Sequence, residues 1–318
     1  MKTQNRKKII VVGAGRVGEA IAYTLVLGRQ ASEIVMIDID KGRAEGSAHD
    51  IGHGLAYHSQ VTIRQGGYEE CADAAIIITA GLARKPGQTR LDLARTNVAI
   101  IKDITRNVMK YAENPIFVVT SNPVDIMTYV IQKESGVASS RVIGSGTVLD
   151  TARFRYILGK RFNINIEDVY AYVLGEHGDS QVLVWEGASI AGIPLKDYAR
   201  QAGIDLAAEA PQIEVDVKTA GAQVISQKGA TFYGIALNTA KIVAAIMDND
   251  NAILPVGHVL TKEVYGIKDV VISVPCVINE GGIVRALEIP LAPEELSALR
   301  KSADMLKAFT GEVMAEDA

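Results

Sequence analysis

The first half of the chain alternates two hydrophobic patterns. Ile9–Val12, Ile34–Ile37, Ala75–Thr79, Ile116–Thr120 and Val142–Ile143 are short, continuous apolar runs. Continuous rather than alternating apolar character marks strands covered on both faces. Between these runs, Val17–Leu27, Thr96–Tyr111 and Val124–Glu134 repeat apolar residues at the helical period. Strand–helix–strand alternation predicts parallel pairing through right-handed crossovers, hence an α/β fold with a doubly wound parallel sheet. Asn114-Pro115 and Asn122-Pro123 predict turns at the two ends of one strand.

The second half reads as a mixed α+β region. A helical stretch covers Thr151–Arg161, and a β-rich region runs from Val169 to Ile193, broken by Gly175-Glu176-His177-Gly178. A long helical region follows from Val217 to Met247, then strand-like runs at Ile253–Leu260 and Val270–Val277. A last amphipathic segment opens with a helix start at Pro293. No repeat, low-complexity tract or linker separates the halves, so they are expected to pack together.

Composition narrows the function classes. The chain has 318 residues, 48% hydrophobic and 22% charged, which suits a folded globular protein of two fused subdomains. With 33 Lys plus Arg against 37 Asp plus Glu, it lacks the basic surplus that nucleic-acid binding needs. No apolar run reaches the roughly 18–20 residues that span a bilayer. The basic start resembles the opening of a signal peptide, but Gly13 cuts the following apolar run short. Two cysteines, Cys71 and Cys276, make neither a disulfide framework nor a thiolate metal cluster, as expected in a cytoplasmic chain. His49 and His53 stand a helical turn apart with His58 nearby, but no cysteine joins them and solvent-facing histidines are the commoner arrangement, so no metal is expected.

Gly13-Ala14-Gly15-Arg16-Val17-Gly18 follows the first strand and opens the first helix. In that context Gly13 permits a tight turn, Gly15 lets backbone approach a pyrophosphate, and Gly18 allows close helix–strand packing. Asp38 stands 20 residues beyond Gly18, where a carboxylate can accept hydrogen bonds from ribose hydroxyls. An acid there repels a 2′-phosphate and favours NAD over NADP. A flavin fits less well, because no second long nucleotide-binding repeat follows. These residues predict a Rossmann-type NAD-binding domain over 1–146 and a catalytic, substrate-binding domain over 147–318.

Two clusters in the second half carry candidate chemistry: Gly144 to Arg155, with Asp150 and Arg153, and Gly175-Glu176-His177-Gly178-Asp179. His177 is flanked by glycines in a loop between strands, an unusual place for a packing histidine. Imidazole titrates near neutrality and suits a general acid and base. Either Asp150 or Asp179 could orient it.

With these motifs the chain resembles the NAD-dependent L-lactate/malate dehydrogenase family along essentially its whole length. The matching pieces are the glycine motif with Asp38, the loop from Ala80 to Leu93 with Arg84 and Arg90, and Thr120 to Asp125. The Asp150/Arg153 cluster, the His177 loop and the run from Lys228 to Tyr233 complete the set. The resemblance implies that His177 exchanges a proton with the substrate oxygen while Asp150 pairs with its other nitrogen. It implies that Arg153 grips the substrate carboxylate, that Arg90 polarises the ketone, and that Asn122 sits beside the reacting oxygen and the nicotinamide ribose. Thr231 would line the substrate pocket, and residues 82–93 would form a lid that closes over it.

Two features of the chain disagree on the choice of 2-hydroxy acid. Family members acting on oxaloacetate carry Arg at the specificity position of the lid, where this chain has Arg84, and those acting on pyruvate commonly carry Gln. Burying Arg84 opposite a methyl group would cost several kcal/mol, or ~10²–10⁴ in discrimination. Against this, the segments around Asp150, His177, Trp185 and Thr231 resemble the lactate branch. The contact residue sets the expectation at malate/oxaloacetate, with lactate/pyruvate or dual specificity as alternatives.

Bacterial lactate enzymes of the family often bind fructose 1,6-bisphosphate through an Arg and a His. Arg155 matches the former and Tyr170 replaces the latter, so activation is expected to be weak or absent. A homo-oligomer, tetrameric by the lactate-like background, is expected. A non-catalytic NAD-binding protein would lack one of His177, Asp150, Arg153 or Arg90, and all are present. An NAD-using glycosidase would need a Cys/His metal site, which the cysteine positions do not supply.

Overall fold

Successive side chains of a strand point to opposite faces, so each apolar run feeds two layers at once. In β1 (Lys8–Val12), Ile9 and Val11 enter one core layer while Ile10 and Val12 enter the other, and all four are buried. The computed structural model describes residues 8–58, 60–72, 74–82 and 89–315, with the backbone alone at Arg90.

The chain continues through α1 (Arg16–Leu27), β2 (Glu33–Ile37), α2 (Lys41–His53), β3 (Thr62–Gln65), β4 (Ala75–Ile78) and α3 (Arg90–Met109). β5 (Ile116–Val119), α4 (Val124–Ser135) and β6 (Val142–Gly144) follow. These six strands pair in parallel in the order β6-β5-β4-β1-β2-β3. The chain leaves β1 toward β2 and returns on β1's other side as β4. That reversal opens a crevice at the carboxyl ends of β1 and β4, where doubly wound sheets bind ligands.

α2 and β3 carry no predicted pattern. α2 contains Gly42, Gly46 and Gly52 and buries just Ala44, Ser47 and Ala48, so its inner face is small rather than apolar. Its start is fixed by Asp40, whose side chain accepts the Arg43 N–H at 3.1 Å. β3 is a half-exposed edge strand. α3 starts before the predicted Thr96 because Thr89 and Asp92 form a reciprocal cap: Thr89 Oγ1 accepts the Asp92 N–H at 3.0 Å, and Asp92 Oδ2 accepts the Thr89 N–H at 3.3 Å.

The second half begins with α5 (Val148–Phe162) and a three-stranded antiparallel sheet of β7 (Val169–Leu174), β8 (Val182–Ile190) and β9 (Ile193–Pro194). Three helices follow, α6 (Leu195–Gln201), α7 (Leu206–Lys228) and α8 (Tyr233–Met247), then β10 (Ala252–Val259), β11 (Val271–Asn279), β12 (Gly282–Ala286) and the terminal helix α9 (Pro293–Met314). The long helical region expected from Val217 is two helices. Asp205 caps α7 by accepting the Ala207 and Ala208 N–H groups, and Gly229 ends it at φ +85°, a conformation that favours glycine. α7 fully buries just Ile213 and Val217, both in its first half, so before Val217 a single buried position was all the periodicity that marked the helix.

β10 pairs antiparallel with β6 through Gly257 and Gly144, and β11 and β12 extend the same edge. The result is one nine-stranded sheet built from both halves of the chain. Among the described residues no helix is long and apolar enough to cross a membrane.

Phe117, in the middle strand β5, is fully buried. Phe117→Ala is expected to destabilise the fold by about 3–5 kcal/mol, read as a lower denaturation midpoint.

Candidate active site

The glycine turn sits at the crevice. The Gly13 N–H donates to the Ile37 carbonyl at 2.7 Å, and its φ is +109°. A Cβ on Gly13 would lie 2.6 Å from Thr79 Oγ1, and one on Gly18 would lie 1.8 Å from the Gly13 carbonyl oxygen, so both positions exclude side chains. A Cβ on Gly15 would meet nothing within 4 Å. Gly15 starts α1 without a side-chain cap, so the first-turn N–H groups at Arg16 and Val17 open onto that space. Asp38, just past β2, joins the turn: its Oδ2 accepts the Ala14 N–H at 2.6 Å and its Oδ1 the Asp40 N–H at 2.9 Å. Open space before a helix N-terminus with a carboxylate beside it fits the pyrophosphate and ribose of a dinucleotide.

His177 lies on the connection between β7 and β8. Gly175, at its start, exchanges hydrogen bonds with Ser273 of β11 at 3.0 and 3.1 Å, which ties the loop to the large sheet. Glu176 is buried, and its Oε2 accepts the Ser180 hydroxyl at 2.6 Å. His177 Nδ1 lies 2.6 Å from Asp150 Oδ2, and Asp150 Oδ1 accepts Arg153 Nη1 at 2.9 Å. Asp150 and Arg153 are three residues apart on α5, which puts them on one helix face. Asp179 is exposed, so of the two carboxylates that could orient His177 the structure uses Asp150.

Electrostatics separates the part-buried His177 from the buried His258. Burial alone would lower the His177 pKa, but the adjacent Asp150 carboxylate outweighs it and raises the value, with Asp125 adding to the effect. Burial likewise opposes ionisation of Asp150, which is 1% exposed, yet His177 and Arg153 hold its pKa below the usual carboxylate range. His258 has no such carboxylate, and burial pushes its pKa down to about 4. A histidine that can carry a proton at neutral pH is therefore found at 177 and not at 258.

Asn122 is exposed on the turn after β5, and its carbonyl accepts Asn97 Nδ2 at 2.7 Å. Thr231 lies half-buried between α7 and α8, its hydroxyl without a hydrogen bond among the described residues. Arg90 opens α3, but its side chain and all of Arg84 lie outside the described residues, as do residues 83–88 of the expected lid. Arg155 Nε donates to the Ala171 carbonyl at 2.9 Å, and its guanidinium lies over the Tyr172 ring, while Tyr170 is exposed.

Three further residues belong to the site. Asn97, buried on α3, also accepts the Leu82 N–H at 2.8 Å, so it links the start of the expected lid to the Asn122 turn. Asp125 Oδ2 accepts the His177 backbone N–H at 3.0 Å. A Cβ on Gly221 of α7 would lie 3.3 Å from Arg153 Nη2, so the helix backbone roofs the guanidinium. A mid-helix glycine and polar residues inside apolar helices were the available signals, since each is disfavoured there without a local reason.

Two family models match the chain: the lactate/malate dehydrogenase NAD binding domain over residues 7–144, and the lactate/malate dehydrogenase alpha/beta C-terminal domain over residues 147–317. The chain belongs to the lactate/malate dehydrogenase family. Its cofactor is NAD. Similar relatives include the L-lactate dehydrogenase of a Thermoanaerobacter species, 45% identical over 96% of this chain and 99% of that one. The L-lactate dehydrogenase of Priestia megaterium is 43% identical over 96% and 98%. The ligand-bound minor L-lactate dehydrogenase of Enterococcus mundtii superposes with a TM-score of 0.94 at 40% identity, covering 97% of this chain and 98% of that one.

These comparisons overturn the malate expectation. The full-length relatives at 43–45% identity are L-lactate dehydrogenases, as is the solved neighbour. The expectation rested on Arg84 alone, and an arginine's long stem can deliver its charge to water, so the residue type does not by itself fix a substrate. The lactate-like segments around Asp150, His177 and Thr231 were the better guide within the lactate/malate dehydrogenase family.

The paired shifts set a pH dependence of stability. The raised His177 value stabilises the fold fully below the ordinary imidazole pKa of about 6.5, and that contribution is lost as pH rises through the folded value. The lowered Asp150 value acts above the ordinary carboxylate pKa of about 3.9 and is lost as pH falls. Thermal melts of the apoprotein are expected to lose Tm as pH rises above neutrality, and His177→Asn to flatten that slope; an unchanged slope in the variant would count against the pairing.

Proposed function

We propose that the chain catalyses the reversible NAD-linked interconversion of pyruvate and L-lactate. The observation that carries this reading is the Asp150–His177 hydrogen bond with Arg153 on the same carboxylate, in a chain similar throughout to L-lactate dehydrogenases. Residues 1–146 hold the cofactor and contribute Arg90 and Asn122 to the substrate, and residues 147–318 supply the other substrate groups. The backbone at Gly13, Gly15, Arg16, Val17 and Gly18 receives the pyrophosphate, and Asp38 the ribose. Bound NAD supplies or accepts the hydride at the substrate's second carbon.

His177 carries the proton. Asp150 holds Nδ1, which leaves Nε2 to donate to the ketone oxygen in reduction and to take the proton back in oxidation. Reduction needs the protonated ring and slows as pH rises through the His177 pKa, whereas oxidation needs the neutral ring and slows as pH falls. Arg153 grips the substrate carboxylate with its remaining donors, and Arg90 polarises the carbonyl. Asn122 orients the reacting oxygen, and Thr231 lines the pocket. The enzyme works in the cytoplasm as a homotetramer, with little response to fructose 1,6-bisphosphate because Tyr170 replaces the histidine.

Steady-state NADH oxidation tests the reading. Pyruvate is expected to give the highest kcat/KM among small 2-oxo acids. His177→Asn is expected to lower kcat/KM by ~10²–10⁴ with NADH affinity nearly retained. Preference for another 2-oxo acid, or wild-type turnover in His177→Asn, sinks it.

A further inference from the structure

We infer that Asp125 is a positioning residue for the proton-carrying loop: it holds the His177 peptide and keeps a second negative charge beside the imidazole. The inference rests on His177 as the proton carrier and concerns a residue to which no step above gives a task.

Asp125 is the second residue of α4, two positions after Pro123. It is 4% exposed, in a first helical turn whose Val124, Ile126 and Met127 are buried as well. Its Oδ2 accepts the His177 N–H at 3.0 Å, across the two halves of the chain. Its Oδ1 faces the backbone of β10, where a Cβ on Gly257 would lie 3.3 Å away. The first turn of α4 favours an anion at this place, since its N–H groups point toward it.

A single buried N–H needs an acceptor, but a neutral amide or a carbonyl would serve that need at much lower cost than a desolvated carboxylate. The position of the charge gives it a use. The charged groups acting on His177 are Asp150 and Arg153 from α5 and Asp125 from α4. Within the loop itself, Glu176 turns its carboxylate to Ser180, and Asp179 is exposed. Asp125 is therefore the second anion favouring the imidazolium, opposed by Arg153. It also grows from the helix that follows the Asn122 turn, so one short segment sets the spacing between Asn122 and His177.

NMR titration of the His177 ring in the apoprotein tests this, with His177→Asn identifying the signal among five histidines. Asp125→Asn keeps an acceptor and removes the charge; its His177 midpoint is expected to fall by about 0.5–1 pH unit, and the high-pH limb of pyruvate reduction to fall with it. Asp125→Ala also releases the peptide and is expected to lose about tenfold to a hundredfold in kcat, most of it recovered in the Asn variant. An unmoved midpoint and pH limb in Asp125→Asn, with a lowered Tm as the sole effect, overturns the inference. The Asn variant decides this even where the Ala variant fails to fold. Wild-type turnover in His177→Asn would instead condemn the proton-carrier reading, so the two failures are distinguishable.

Discussion

Asp150 is a carboxylate almost sealed from water, and the arrangement of the site follows from that. An ion in such a place stays charged where donors and cations replace its lost hydration. Each oxygen has one: His177 on Oδ2 and Arg153 on Oδ1. The two pairings fix a ring and a guanidinium relative to each other through a group that has no freedom to move. The helix that carries Asp150 is itself bolted to the neighbouring strand. Thr151 Oγ1 accepts the Val173 N–H at 2.8 Å, and Thr147 Oγ1 donates to the Val173 carbonyl at 2.5 Å. Val173 lies just ahead of the His177 loop, so both ends of the Asp150–His177 bond are anchored within a few residues.

The other partner in the chemistry is prepared elsewhere, at the reversal between β1 and β4. There the constraint is steric rather than electrostatic. Gly13 and Gly18 approach each other so closely that any side chain would collide with backbone, and Asp38 braces the turn through the Ala14 N–H. The crevice and the Asp150 centre are connected by polar links, Asn97 to the Asn122 carbonyl and Asp125 to the His177 peptide. Apolar packing builds the layers, while a handful of buried hydrogen bonds sets their alignment.

Much of this was legible in the amino-acid pattern, for identifiable reasons. β1, β2, β4, β5 and β6 are covered on both faces and so write continuous apolar runs; β3 and the glycine-bearing α2 bury little and write none. The start of α3 depends on a cap between Thr89 and Asp92, a local signal that periodicity overlooks. His177, Asp150 and Arg153 announce themselves by residue type and spacing, whereas Asn97, Asp125 and Gly221 act through contacts with segments distant in the chain. Substrate choice was misread because a single cation was weighed above the character of the surrounding segments.

The junction of β6 with β10 has a consequence for how the molecule behaves as a whole. Because Gly144 and Gly257 join the two halves edge to edge, neither half ends in a finished sheet. Expressed alone, the first half would present β6 as a bare strand with unpaired amide groups, a template for self-association. The intact chain is thus expected to melt as one cooperative body, and opening toward solvent has to come from segments at its surface rather than from the halves swinging apart.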